Sequence, residues 1–286
     1  MDATMKNRSL VICGAGTMGA GIAQSAAQHG LSVLLFDLSE PVLKKAEEQI
    51  RHRLENLVQK QKISATAFDS IVQSIEYSTD ISHCKAPVLL EAIVEKLSVK
   101  KKLFEELGAL NGAASIYATN TSSLSVEEIA VSHPYPSQVA GMHFFNPAPL
   151  MKLVEVVTTS YTSAAVVQAV IELAASMGKT PVVCKDAPGF IVNRVARPYY
   201  IEALRLAEQG VPIPLIDELM EAAGFKMGPF RLMDLIGNDV NFAVSCSVYE
   251  QLGKPERLRP SAIQEQKVKE GNLGRKTGSG YYTYKS

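Results

Sequence analysis

The chain has 286 residues, 47% of them apolar, and its 29 basic and 29 acidic side chains give a formal net charge of +0. That is enough apolar material to bury a core in one large or two ordinary domains, and the balanced charge argues against a polyanion binder such as a nucleic-acid protein. No apolar run reaches the roughly 20 residues of a membrane-spanning helix, and residues 1–9 show neither a secretory nor a transit pattern, so a cytoplasmic location is expected.

Residues 9–13 (SLVIC) are apolar without alternation, the pattern of a strand buried on both faces. They lead into Gly14, Ala15, Gly16, Thr17, Met18 and Gly19. Residues 20–29 read as a helix closed by Gly30, and residues 32–36 as a second strand ending in Asp37. Strand, GxGxxG, helix, strand and acid, in that order, form a dinucleotide-binding fingerprint. Gly14 permits the tight turn, Gly16 lets the backbone approach a pyrophosphate, and Gly19 lets helix and strand pack closely. The helix N-terminus, at Thr17 and Met18, offers backbone N–H groups to the phosphates. A carboxylate at Asp37 accepts hydrogen bonds from an adenosine ribose diol and repels a 2′-phosphate. Leu38, Ser39 and Glu40 add no positive charge, so NAD rather than NADP is the expected cofactor.

Residues 41–62 are charged and helical in pattern, and the stretch from about 40 to 80 reads as a helical insertion. Its Lys44, Lys45, Arg51, Arg53, Lys60 and Lys62 suit either a solvated helix face or a site for a phosphorylated ligand. Further strands are expected at 87–92, 115–118, 138–142 (ending at His143), 153–157 and 180–184. A charged amphipathic helix falls at 98–107, and another places Val166, Val170, Leu173 and Met177 on one face. This alternation implies an α/β, Rossmann-type, doubly wound parallel sheet, whose ligands sit beyond the carboxyl ends of the strands. Asn120, Ser122 and His143 fall there.

After Lys185-Asp186-Ala187-Pro188-Gly189 the strand signals stop, which marks a domain boundary. Residues 1–186 are therefore expected to form the NAD-binding Rossmann domain. Residues 187–286 are expected to form an all-α C-terminal domain for substrate binding and dimerisation. Its helices lie at 190–209, 215–223, 239–251 and 261–269. A helical domain of about 100 residues often completes its core against a copy of itself, so a homodimer is expected. Cys13, Cys84, Cys184 and Cys246 lack CxxC spacing and read as small apolar fillers. The histidines lack ligand spacing, and no metal is expected.

Longer motifs carry more. GAGTMG from Gly14, EAIVEKLSVKKKLF from Glu91, TNTSSL from Thr119, GMHFFNPAPLMKLVEVV from Gly141, KDAPGFIVNR from Lys185, GPFRLMDLIG from Gly228 and GRKTGSGYY from Gly274 run across nearly the whole chain. Through them the chain resembles the L-3-hydroxyacyl-CoA dehydrogenase family, bacterial 3-hydroxybutyryl-CoA dehydrogenases among them. The resemblance implies NAD-dependent oxidation of a (3S)-3-hydroxyacyl-CoA to the 3-oxoacyl-CoA, in fatty-acid metabolism, with a short acyl chain such as 3-hydroxybutyryl. It implies His143 as the general base, Glu155 as its partner acid, and Ser122 and Asn193 as substrate contacts. On the cofactor side it implies Glu95, Lys100, Ser122, Asn146 and Lys276, beside the glycines and Asp37. The residues are consistent with these roles. An imidazole is suited to taking and returning a proton, and a carboxylate in an apolar strand pattern, as at Glu155, needs a partner. A 3-hydroxyadipyl-CoA dehydrogenase would carry the same motifs. A free hydroxy-acid or sugar-acid dehydrogenase of the same fold stays open. So does a catalytically idle, crystallin-like dinucleotide-binding protein, against which the His143 and Glu155 pair argues.

Overall fold

Short apolar runs make the centre of the N-terminal part. The computed structural model describes residues 9–284, and the chain divides after Asp186 into two compact units. In the first, the strands are β1 (Leu10–Cys13), β2 (Val33–Phe36), β3 (Ile75–Ser78), β4 (Val88–Glu91), β5 (Ile116–Thr119), β6 (Val139–Phe144), β7 (Leu153–Thr158) and β8 (Thr180–Lys185). They form one sheet in the order β3-β2-β1-β4-β5-β6-β7-β8. Every residue of β1 and β2 is buried, as strands covered on both faces require.

Pairing is parallel from β3 through β6 and again between β7 and β8, but β6 and β7 are antiparallel. The cause is chain length. Only residues 145–152 join β6 to β7, and a parallel crossover needs about a dozen residues or more. The sheet is thus parallel-dominated, with one tight reversal.

The helices of this unit are α1 (Thr17–Gln28), α2 (Glu40–Gln59), α3 (Ala65–Gln73), α4 (Leu97–Asn111), α5 (Val126–Ala130) and α6 (Ala164–Ser176). In α1 every residue from Gly19 to Ala27 is buried. In α2 the buried residues are Leu43, Ala46, Ile50 and Leu54, one stripe at helical spacing. The stripe joins Ile12, Ile22 and Leu35 in a single core, while Lys44–Glu40 and Arg51–Glu47 pair on the exposed side of the helix. The stretch 40–80 therefore needs correcting. It is not a purely helical insertion, because α2 and α3 form the crossover into edge strand β3. The sequence IEYS is short, and only Ile75 of it is buried, so no apolar run announces the strand.

In the second unit, α7 (Val192–Glu208), α8 (Ile213–Ala222), α9 (Pro229–Ile236), α10 (Asn238–Gln251) and α11 (Ala262–Lys269) surround Tyr200, Leu204, Ile216, Phe230 and Met233. Two buried carboxylates organise it. Asp217 accepts the Phe230 and Arg231 N–H groups at 2.9 and 3.1 Å, capping α9, and the Tyr282 hydroxyl at 2.8 Å. Asp234 accepts the N–H groups of Tyr281 and Tyr282 at 3.0 Å and the Tyr284 hydroxyl at 2.9 Å, tying the last described residues to α9.

Candidate active site

The glycine loop between β1 and α1 is shaped by close approach. Gly14 has φ +105°, and a Cβ there would lie 2.6 Å from the Ala92 carbonyl oxygen beyond β4. A Cβ on Gly19 would lie 1.7 Å from the Gly14 carbonyl oxygen. Gly16 differs, because a Cβ there would meet nothing within 4 Å. Its bare backbone borders open space at the start of α1, where Thr17 and Met18 begin a turn whose first amides have no intrahelical acceptor. Asp37, just past β2, accepts the Ala15 N–H on Oδ2 and the Ser39 N–H on Oδ1, each at 2.9 Å. An open backbone cradle at a helix N-terminus, with a carboxylate fixed beside it, fits a dinucleotide with a free ribose diol.

Beyond the ends of β4 and β5 lies a charged cluster. Glu91, the last residue of β4, is 0% exposed. Its Oε1 accepts the Ile93 N–H at 2.7 Å and the Lys100 ammonium at 2.6 Å, and its Oε2 accepts the Thr119 hydroxyl at 2.7 Å. Lys100, on α4 and 1% exposed, also lies 3.1 Å from Glu95 Oε2. Glu95 Oε1 accepts the Thr121 hydroxyl at 2.5 Å and the Ser122 N–H at 2.9 Å. Burial pushes the Glu95 carboxyl up, but the Lys100 charge and these hydrogen bonds outweigh it and hold the group below its ordinary 4.5. On the other side of the same loop, Asn120 Oδ1 accepts the Phe144 N–H at 2.8 Å, which ties the Ser122 loop to the end of β6.

The reversal between β6 and β7 builds the central pair. Register sets His143 directly opposite Glu155, so their side chains stand on one face of the sheet within reach of each other. Nδ1 of His143 and Oε2 of Glu155 are 2.7 Å apart, with His143 5% and Glu155 1% exposed. A carboxylate can only accept, so Nδ1 carries the proton in this bond. The Phe145 ring packs on the imidazole at 4.6 Å between centroids. Asn146 follows in the turn, whose carbonyls at Ala148 and Met151 accept the Lys179 ammonium at 2.6 and 3.1 Å. Burial lowers the Lys179 pKa.

The remaining candidates belong to the second unit. Asn193 sits in the first turn of α7, where its carbonyl accepts Arg197 Nε at 2.9 Å. Lys276 lies 2.6 and 2.7 Å from the two oxygens of Asp239. The first unit thus joins His143 to Glu155, and Ser122 to Glu95 and Lys100. Sequence reasoning passed over Glu91, Thr119, Thr121 and Lys179. Glu91 carried a usable signal, an acid closing an apolar run.

Residues 9–187 match the NAD-binding domain of 3-hydroxyacyl-CoA dehydrogenase, and residues 189–284 match its C-terminal domain. Among curated proteins, a 3-hydroxyadipyl-CoA dehydrogenase of Escherichia coli is 47% identical over 98% of this chain, which spans only 59% of that protein's length. A mitochondrial hydroxyacyl-coenzyme A dehydrogenase of Sus scrofa is 40% identical over 97% of this chain and 91% of its own. Among solved structures, an (S)-3-hydroxybutyryl-CoA dehydrogenase from Ralstonia eutropha superposes with a TM-score of 0.92 at 36% identity, covering 98% of this chain and 100% of that one. With both halves matched in sequence and the whole described fold matched in shape, this chain belongs to the 3-hydroxyacyl-CoA dehydrogenase family.

Proposed function

We propose that the protein oxidises a (3S)-3-hydroxyacyl-CoA to the 3-oxoacyl-CoA with NAD, and that its substrate is short, such as 3-hydroxybutyryl-CoA. The observation that carries this reading is the buried pair of His143 and Glu155 at the mouth of a dinucleotide-binding sheet. NAD, when bound, supplies the acceptor for the carbinol hydrogen and its electron pair. The chain supplies the proton chemistry and the geometry. With Nδ1 committed to Glu155, Nε2 of His143 takes the hydroxyl proton. Glu155 holds the ring in one orientation and offsets the positive charge that forms on it. In the reverse direction the imidazolium returns the proton. Ser122 holds a substrate oxygen, so that the reacting atoms stay aligned. Gly14, Gly16, Gly19 and the first turn of α1 receive the pyrophosphate, and Asp37 receives the ribose diol.

Replacing His143 with Gln tests the base. Turnover should fall by about 100-fold or more, while NADH affinity, read by fluorescence titration, stays put. Near-normal turnover would remove His143 from the role. A second substrate reading rests on the Escherichia coli relative, whose name carries a dicarboxylic acyl group. NADH formation across 3-hydroxyacyl-CoA thioesters of rising length, with 3-hydroxyadipyl-CoA included, decides between the two. Oxidation of a free hydroxy acid with none of the thioester would overturn both. Exposed Val195, Leu219 and Phe225 on the second unit support a homodimer, which light scattering tests.

A further inference from the structure

We propose that Glu91 is a positioning residue for the nicotinamide half of the cofactor site and for Ser122, acting through Lys100 and Glu95. The inference rests on the dehydrogenase reading above. From β1 the sheet runs one way through β2 to β3 and the other way from β4 onward. A dinucleotide lies across such a reversal. With Asp37 on the β2 side taking the adenosine ribose, the other half falls over the ends of β4 and β5. Glu91, Glu95 and Ser122 stand there.

The Lys100 ammonium is buried between Glu91 at 2.6 Å and Glu95 at 3.1 Å, and these two bonds fix where its third N–H points. Glu91 steers two arms of the same loop. Through Oε1 and Lys100 it sets Glu95, whose Oε1 holds Thr121 and Ser122. Through Oε2 it holds the Thr119 hydroxyl, which in turn accepts the Thr121 N–H at 3.2 Å. Negative, positive and negative groups alternate from Glu91 through Lys100 to Glu95, so Glu91 shares the ammonium with Glu95 and sets how far it leans toward either acid.

The competing account is that Glu91 merely stabilises the fold. A replacement of the same shape separates the two. In Glu91→Gln the Lys100 ammonium keeps Glu95 at 3.1 Å as its partner, so no buried charge is left alone, and the variant should melt within about 5 °C of wild type. It should nevertheless bind NADH at least about tenfold more weakly and turn over at least about tenfold more slowly, because the ammonium leans toward Glu95 and the Thr119 hydroxyl loses its charged anchor. Wild-type NADH affinity and turnover in the folded variant would overturn the proposal.

If Glu91→Gln does not fold, Thr121→Val serves instead. It cuts the loop's side-chain bond to Glu95 and leaves the buried pair intact, and it should weaken NADH binding and turnover in the same sense. Wild-type kinetics in Thr121→Val would equally overturn the proposal. NADH titration needs no acyl-CoA, so an error in the substrate reading would show as an inactive wild type while the NADH arm still decided the role of Glu91.

Discussion

Replacing Glu155 with Gln isolates what the carboxylate does. The side chains have the same shape, the site is buried, and the Gln carbonyl can still accept from His143 Nδ1. Packing and ring orientation should therefore survive, and the charge alone is lost. In the ground state a charged hydrogen bond is exchanged for a neutral one, a difference of about 1–1.5 kcal/mol. As the imidazole takes the substrate proton, a full charge forms beside a group that no longer answers it. Two unit charges about 4 Å apart attract by about 4 kcal/mol at an effective dielectric of about 20, which sets the upper bound. The barrier should rise by the second figure less the first, at most about 3 kcal/mol, so turnover falls by up to about 100-fold. NADH affinity should stay within about threefold of wild type, since Asp37 and the glycine loop lie on the β1 and β2 side of the sheet. Steady-state NADH absorbance and fluorescence titration measure the two quantities. Turnover within about threefold of wild type, in a variant that melts normally, would refute the role given to the charge.

Gly16→Ala should melt like wild type, because its Cβ enters open space, yet bind NADH at least about tenfold more weakly, because that space receives the phosphates. Gly19→Ala should lose stability outright, since its Cβ meets the Gly14 carbonyl. Equal behaviour of the two variants in melting and NADH titration would contradict this division. Asp37→Ala should weaken NAD binding and narrow the preference over NADP, and an unchanged cofactor ratio in paired kinetics would place specificity elsewhere. Glu95 gives a pH prediction. Its folded carboxyl lies below the ordinary 4.5, so its contribution to stability is complete above about 4.5 and is lost as pH falls through the folded value. The stability gap between wild type and Glu95→Gln in urea unfolding should therefore be flat above that pH and shrink below it. A gap that widens on acidification would reverse the sign.

The dinucleotide half was legible because its information is local. A buried strand, three spaced glycines and a terminal acid lie within residues 10–37 and need no distant partner to be read. Glu155 was legible for a thermodynamic reason, that a carboxylate amid β-branched residues demands a partner. Glu91 closes the run VLL in the same way and was passed over, since only the fold shows that Lys100 on α4 returns to it. Strand β3 escaped because it lies at an edge and buries only its first residue. Helix α9 escaped because Gly228 and Pro229 suggest a turn, whereas proline here starts the helix. The clamp of Lys179 on the β6–β7 turn left no trace in sequence. Its partners are main-chain carbonyls at Ala148 and Met151, and any residue supplies those.

Mounting acid and base on facing rungs of a hairpin restricts how this part of the chain can vary. Side chains alternate sides along a strand, so sliding β7 by a single residue against β6 would swing the carboxylate to the opposite surface and leave the imidazole facing a valine. The connecting bend can gain or lose residues only where the slack is absorbed outside the ladder. Relatives that differ in length here are expected to carry the change between Phe145 and Lys152, never inside either strand.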